Sequence, residues 1–148
     1  MYNDILVPTD GSPAADAAVE HAVTLAARFD ATLHALYVVD ATAYSGIEAG
    51  TDIVAEALET EGEDAVARIS TAADEADIPV VEAVVSGIAY RSILEYADDH
   101  DIDMIVMGTH GRRGLDRYLL GSVTERVVRS ANQPVLTVRH SEDDADAE

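Results

Sequence analysis

Five short aliphatic runs, separated by segments of helical periodicity, constrain this chain more than any other feature. The runs are Ile5–Val7, Leu33–Val39, Pro79–Val85, Met104–Met107 and Val135–Val138. Each is almost continuously apolar, which is typical of parallel strands covered on both faces. Strands that alternate with helices predict an α/β fold, a single doubly wound domain with a five-stranded parallel sheet and helices on both faces. The 148 residues suffice for one such domain.

The segments between these runs carry helix signals. Ser12 lies where an N-cap is expected, and Pro13 follows at the first helical position. Apolar spacing predicts three further helices, over Thr51–Ala76, Ile88–Asp99 and Val123–Ala131. Gly62 is expected to weaken or bend the long second helix. Residues 40–50 show no period and are predicted to form a loop.

The charge balance is strongly acidic. The chain has 29 acids against 9 bases, all of them arginine, for a formal net charge of −20. Five of the acids fall in the last eight residues, so we predict a folded domain over residues 1–140 and a disordered acidic tail over residues 141–148. Such a surface repels nucleic acid and anionic lipid, and neither is expected as a partner.

Several classes of protein are disfavoured by the composition. No apolar run approaches the roughly 20 residues that a bilayer-spanning helix needs, and the start of the chain lacks the pattern of a signal peptide. We therefore expect a cytoplasmic protein. The chain has no cysteine, which excludes disulfides, thiolate metal sites and thiol catalysis. The five histidines show no metal-ligand spacing, and neither a metal site nor a catalytic residue is predicted.

Two strand exits have the composition of a ligand site. Pro8-Thr9-Asp10 ends the first run, whereas Gly108–Gly111 follows the fourth and Gly121–Thr124 then opens a helix. The amides of a first helical turn lack intrahelical partners and the helix dipole favours negative charge there, so this unit can hold a phosphate. The glycines are expected to take positive φ and to let the backbone approach a ligand. Ser122 and Thr124 are expected to add hydroxyls to the exposed first turn of the helix. An alternative stays open, in which the glycines are plain turns and Ser122 forms a capping box with Glu125.

The arginines favour the phosphate site. Five of the nine lie between residues 108 and 130, where there are only two acids, so that this stretch carries +3. A positive region in so acidic a chain is where an anion would bind, and His110 and Arg112 lie within it. The alternative, that the arginines pair with surplus acids, is equally favoured for Arg126 and Arg129. The site is not a Walker loop, because that motif requires lysine.

The spacing G-x2-G-x9-G-S at Gly108, Gly111, Gly121 and Ser122 resembles the ATP-binding signature of the universal stress protein family. The resemblance extends over nearly the whole chain, through Ile5–Asp10, Leu36–Asp40, Ile105–Gly111 and Pro134–Val138. It implies the strand order 3-2-1-4-5, which makes the first and fourth strands neighbours. It also implies a homodimer that pairs the last strand, Val135–Val138.

The resemblance assigns roles to the residues at both strand exits. It implies that Asp10 holds the ribose of ATP, that Val38 contacts the adenine, and that the glycine motif surrounds ribose and phosphates. The predicted site, for ATP with or without Mg²⁺, comprises Pro8, Thr9, Asp10, Val38, Met107, Gly108, His110, Gly111, Arg112, Gly121, Ser122, Val123 and Thr124.

Three functions are compatible with these residues. The leading hypothesis is an ATP-binding stress-response or regulatory module that acts as a nucleotide-dependent homodimeric switch. The alternative is a slow ATP hydrolase or phosphoryl-transfer enzyme, for which Arg112 or Arg113 could clamp the γ-phosphate but no convincing base is present. A receiver-like phosphoacceptor is disfavoured, because Asp10 has no acidic neighbour and the third strand ends Val85-Ser86-Gly87.

The lysine-free, acid-rich composition predicts a halophilic source, because concentrated salt screens the repulsion among the acids. We expect the free energy of unfolding to rise between low-salt buffer and molar KCl. Sucrose at matched osmolality is the control, since it screens no charge. A chain that is fully folded at low salt and gains no stability in KCl would contradict this prediction.

Overall fold

The structure is a computed structural model that describes residues 2–40, 51–109 and 121–139, without the side chains of residues 51–55. The elements are β1 Asp4–Thr9, α1 Pro13–Phe29, β2 Thr32–Val39, α2 Thr51–Glu75, β3 Val80–Ser86, α3 Ala89–Asp99, β4 Met104–Gly108, α4 Ser122–Ser130 and β5 Val135–Val138. No helix within these ranges combines the length and the apolar content needed to cross a membrane. Most of the predicted loop, residues 41–50, and the predicted acidic tail lie outside the described residues.

The five strands form one parallel sheet in the order β3-β2-β1-β4-β5. This confirms both the fold class and the strand order implied by the family resemblance. The chain moves outward from β1 to β3 and then returns to the other side of β1 with β4. The strand order therefore reverses between β1 and β4, and in open α/β sheets ligands bind outside the carboxyl ends of the strands at such a point.

Helices cover both faces of the sheet, as predicted. One face packs against α1 and α2 around a core that includes Val7, Ala22 and Val66. The other face packs against α3 and α4 around Leu6, Ile93 and Val127. The core is almost entirely aliphatic and alanine-rich, because the chain has few aromatic residues to contribute.

The element boundaries agree with the sequence expectations to within a few residues. The N-cap of α1 is confirmed, since the Ser12 hydroxyl accepts a hydrogen bond from the Ala15 amide at 3.3 Å. Helix α4 begins at Ser122, one residue before its predicted start, and ends at Ser130. β1 is longer than its apolar run because Asp4 and Thr9 also pair with β2.

Gly62, which was expected to weaken or bend the second helix, does not interrupt it. α2 runs without interruption from Thr51 to Glu75, and Gly62 is buried within it. A Cβ at this position would lie 2.6 Å from Cδ1 and 3.0 Å from Cγ of Tyr37, whose ring is 4% exposed. The glycine is therefore a contact point, which lets the helix backbone lie directly on an aromatic ring of β2.

The amino-terminal edge of the sheet is closed by a polar network. His34 Nε2 lies 2.9 Å from Asp4 Oδ1, and His34 Nδ1 lies 2.8 Å from the Tyr96 hydroxyl. Asp103 Oδ2 accepts hydrogen bonds from the amides of Asn3 and Asp4 at 2.8 and 3.0 Å. Burial, and then the charge of Asp4, raise the pKa of Tyr96, which keeps its phenol protonated. Because a carboxylate only accepts, His34 donates from Nε2 to Asp4, and in the neutral imidazole Nδ1 then accepts a hydrogen bond from the Tyr96 hydroxyl.

We expect Gly62→Ala to destabilise the protein even though alanine is the better helix former. The propensity gain is about 1 kcal/mol, whereas overpacking a rigid core costs about 1–3 kcal/mol. Urea unfolding measures the difference, and Glu63→Ala, an exposed neighbour, is the control. In a Tyr37→Leu background the same substitution should no longer destabilise, because the ring is gone. A Gly62→Ala variant more stable than the wild type would refute the contact.

Candidate functional site

Three strand ends meet at the carboxyl edge of the sheet where the strand order reverses. Thr9 of β1 pairs with Tyr37 of β2. β1 also pairs with β4, through Ile5 with Met104 and Leu6 with Ile105, and the two strands run on in the same direction to Thr9 and Gly108. One residue further along each strand lie Asp10, Val38 and Thr109. The residues predicted from both strand exits are therefore neighbours across three adjacent strands.

At this edge, the side chains of Val38 and Met107 lie on the face of the sheet that α3 and α4 cover. Both side chains belong to the core cluster that these two helices cover, Met107 fully buried and Val38 only half-buried. Val123, in the first turn of α4, packs against the same cluster and is also half-buried. Partly exposed aliphatic side chains thus lie between the strand ends and the helix starts, where a flat apolar group could rest on them.

The turn after β1 is held by its own side chains. Asp10 Oδ1 accepts a hydrogen bond from the Ser12 amide at 2.9 Å, and Thr9 Oγ1 accepts one from the Gly11 amide at 3.0 Å. Gly11 has a φ of 79°, which a residue with a side chain rarely adopts. These bonds fix the Asp10 carboxylate at the sheet edge, and Pro8 and Thr9 behind it are buried.

Gly108 does not have the positive φ that was predicted for it. A Cβ on Gly108 would instead lie 2.8 Å from the carbonyl oxygen of Ala14, in the first turn of α1. The glycine is needed because β4 ends against the backbone of that helix. The prediction failed because sequence shows that a glycine is present but not whether its conformation or its small size is required.

Gly121 and Ser122 also differ from the sequence expectation. Gly121 is the N-cap of α4, with φ −61° and ψ 153°, an extended conformation open to any residue. Ser122 is therefore the first helical residue, and the alternative in which it forms a capping box with Glu125 is wrong, since no side chain caps the helix. The Gly121 amide donates to the Thr109 carbonyl at 2.6 Å, which ties the helix start to the end of β4.

Thr124 is buried at 4% exposure, whereas we expected an exposed hydroxyl. Its Oγ1 donates to the Gly108 carbonyl at 2.8 Å. The first intrahelical bond of α4 runs from the Glu125 amide to the Gly121 carbonyl at 2.9 Å. The three amides before it, at Ser122, Val123 and Thr124, precede the intrahelical ladder, and such amides bind anions at helix starts.

The structure thus brings together most of the predicted site. Pro8, Thr9, Asp10, Val38, Met107, Gly108, Gly121, Ser122, Val123 and Thr124 all lie at or directly behind this edge. His110, Gly111 and Arg112 lie outside the described residues. The described ranges contain no group of three or more histidine, aspartate or glutamate side chains that could hold a metal ion. A magnesium ion that accompanies a nucleotide takes most of its ligands from phosphate and water.

The two arginines of α4 behave differently. Arg129 pairs with Glu125 at 2.9 Å, one turn away and exposed, as the surplus-acid alternative predicts. The guanidinium carbon of Arg126 instead lies 4.7 Å from the ring centroid of Tyr90 in α3. Arg91 approaches the same ring at 5.9 Å. Hydrogen bonds and charge from Arg91, and then from Arg126, lower the pKa of the Tyr90 phenol.

Sequence reasoning missed Tyr90 and the anchoring role of Asp40. The Asp40 carboxylate accepts a hydrogen bond from the Ala89 amide at 3.2 Å, at the first residue of α3. The Gly87 amide donates to the Val39 carbonyl at 3.0 Å. Both bonds hold the start of α3 against the end of β2. The pairing is distant in sequence, and no local pattern marks it.

The fold is that of a doubly wound α/β protein, and the candidate site lies where its strand order reverses. The model of the universal stress protein family matches residues 1–139. Universal stress protein MJ0531 of Methanocaldococcus jannaschii is 39% identical over 141 residues, which cover 94% of this chain and 83% of that protein. The chain belongs to the universal stress protein family.

Solved structures of relatives superpose over almost the full chain. A structure of MJ0577, also from Methanocaldococcus jannaschii, has a TM-score of 0.85 at 32% identity and covers 94% of this chain and 96% of that one. A universal stress protein crystallised in complex with cAMP has a TM-score of 0.68 at 28% identity, covering 95% and 98%. Relatives within this family therefore include one with a bound adenine nucleotide.

Proposed function

We propose that this chain is an ATP-binding stress-response module of the cytoplasm, in which bound nucleotide sets the conformation of a homodimer. The observation that carries the proposal is the pair of hydrogen bonds that joins the end of β4 to the start of α4. The Gly121 amide and the Thr124 hydroxyl bind the carbonyls of Thr109 and Gly108. The start of α4 is thereby fixed at the end of β4, the strand that lies next to β1 in the sheet.

Each part of ATP has a complementary group in this arrangement. The first-turn amides of α4 and its dipole favour the phosphates. The Asp10 carboxylate, oriented by the Ser12 amide, can accept hydrogen bonds from ribose hydroxyls. Val38 offers a half-buried aliphatic surface to the adenine. The relative with bound cAMP supports an adenine nucleotide as the ligand class.

The edge strand β5 supports the homodimer. β5 lies at the end of the sheet beside β4. Leu136 of β5 is 38% exposed and Val128 of α4 is 43% exposed. An open strand edge flanked by apolar side chains is a surface that proteins usually cover. A second copy of this chain would cover it by pairing Val135–Val138 with the same strand of its partner.

A long incubation of the purified chain with γ-³²P-labelled ATP tests nucleotide binding. We expect intact ATP to be retained, because the described site offers an anion-binding helix start but no metal-holding carboxylate group. Steady release of labelled phosphate would support the hydrolase instead, and label on the protein would support a phosphoacceptor. Failure to retain ATP at any concentration would contradict the proposal.

Gly121→Val is the matched variant for that experiment. Valine adopts the φ of −61° found at this position without strain, so the fold should survive, as circular dichroism would show. Its branched side chain would stand at the helix start and obstruct a phosphate. We expect ATP binding to be lost, and unchanged affinity in a folded variant would show that the helix start is not the site.

We expect Leu136→Asp to shift the protein from dimer to monomer, because it places a charge on the edge strand of an already acidic protein. Sedimentation equilibrium in molar KCl measures the mass. Val81→Asp, at an equally exposed position on the opposite edge strand β3, is the control and should leave the dimer intact. A monomeric wild type, or a Leu136→Asp variant that remains dimeric, would exclude this interface.

A further inference from the structure

Arg126 of α4 lies against Tyr90 of α3. Its guanidinium lies over the ring of Tyr90 at 4.7 Å, while the side chain remains exposed. In a chain with 29 acids and 9 arginines, this cation is placed on an aromatic ring. Arg129, three residues later on the same helix, is paired with a carboxylate. This contrast within one helix indicates that Tyr90 of α3 sets the position of the Arg126 side chain.

Tyr90 lies beside the proposed base site. It is the second residue of α3, whose first amide is held by Asp40 at the end of β2. Tyr90, Val38 and Val123 all pack, half-buried, against the same core cluster. The contact of Arg126 with Tyr90 therefore links α4 to the start of α3 at the carboxyl end of β2, the strand that carries Val38.

We propose that Arg126, positioned by Tyr90, is a stacking platform for the purine base of the bound nucleotide. This inference rests on the proposed function and deepens it. A guanidinium is planar and presents two faces. The Tyr90 ring lies beside this plane, with 4.7 Å between the guanidinium carbon and the ring centroid, and because the side chain is exposed its open face can receive a second π-system. A base that enters over Val38 meets that face, and the larger ring system of a purine gains more from it than a pyrimidine does.

The test compares Arg126→Gln, Arg126→Lys and the control Arg129→Gln by isothermal titration of the full chain with AMP, ADP and ATP. We expect Arg126→Gln to weaken all three nucleotides by the same factor, about fivefold for an exposed cation–π contact. Arg126→Lys should weaken them about as much, since an ammonium retains the charge but has no plane to stack. Arg129→Gln should bind like the wild type.

Two further measurements separate stacking from a phosphate contact. Tyr90→Leu should reproduce the loss seen in Arg126→Gln. Tyr90→Phe, which keeps the ring but removes the hydroxyl that Arg91 and Arg126 contact, should lose less affinity than Tyr90→Leu. The ratio of the affinity for ATP to the affinity for CTP should be smaller in Arg126→Gln than in the wild type. A loss that grows from AMP to ATP, or full rescue by lysine, would show that Arg126 contacts phosphate and would overturn the inference.

The remaining outcomes distinguish this inference from the proposed function. A wild-type chain that binds nucleotide while Arg126→Gln binds equally well overturns the stacking platform and leaves the proposed function standing. A folded wild-type chain that binds no nucleotide overturns the proposed function and the stacking platform together.

Discussion

The hydrogen bond from the Thr124 hydroxyl to the Gly108 carbonyl fixes the geometry on which the candidate site depends. It is buried and 2.8 Å long, and it joins the last residue of β4 to the first turn of α4. A buried carbonyl at a strand end would otherwise lack a partner once the sheet ladder stops. The bond satisfies this carbonyl and brings the positive end of α4 to the switch point of the sheet. Because the same strand end also packs against α1 through Gly108, three elements share one short stretch of backbone.

The fold could be predicted from the sequence almost completely, because it depends on features that a sequence displays. Aliphatic runs and helical spacing marked the strands and helices, and Ser12 with Pro13 marked the start of α1. The strand order required the family resemblance, since periodicity alone does not say which strands are neighbours. What failed was the physical role of single small residues. Gly62 and Gly108 were interpreted through backbone flexibility, whereas both are required by close contact with Tyr37 and with Ala14.

Fewer features of the candidate site than of the fold could be predicted from the sequence. Asp10, Val38 and the start of α4 could be placed from the sequence at the ends of β1, β2 and β4, and these three strands are adjacent in the sheet. Thr124 was expected to face solvent, since the sequence does not reveal that its hydroxyl is needed by a carbonyl 16 residues earlier. The Tyr90 contact could not be foreseen, because it depends on how two helices that follow different strands lie against each other. The arginine-rich stretch did not distinguish Arg126 from Arg129, and only the structure shows that an aromatic ring holds Arg126.

The two edges of the sheet have different freedom to move. At the amino-terminal edge, His34 joins β1 to α3 through Asp4 and Tyr96, and Asp103 binds two amides at the start of β1. Separating β2 from α3 would leave the buried His34 ring or Tyr96 hydroxyl without its partner, which costs more free energy than breaking an exposed hydrogen bond. Local opening at this edge is therefore expected to be rare. A molecule built in this way can admit and release a ligand at one end while its other end keeps the strands in register.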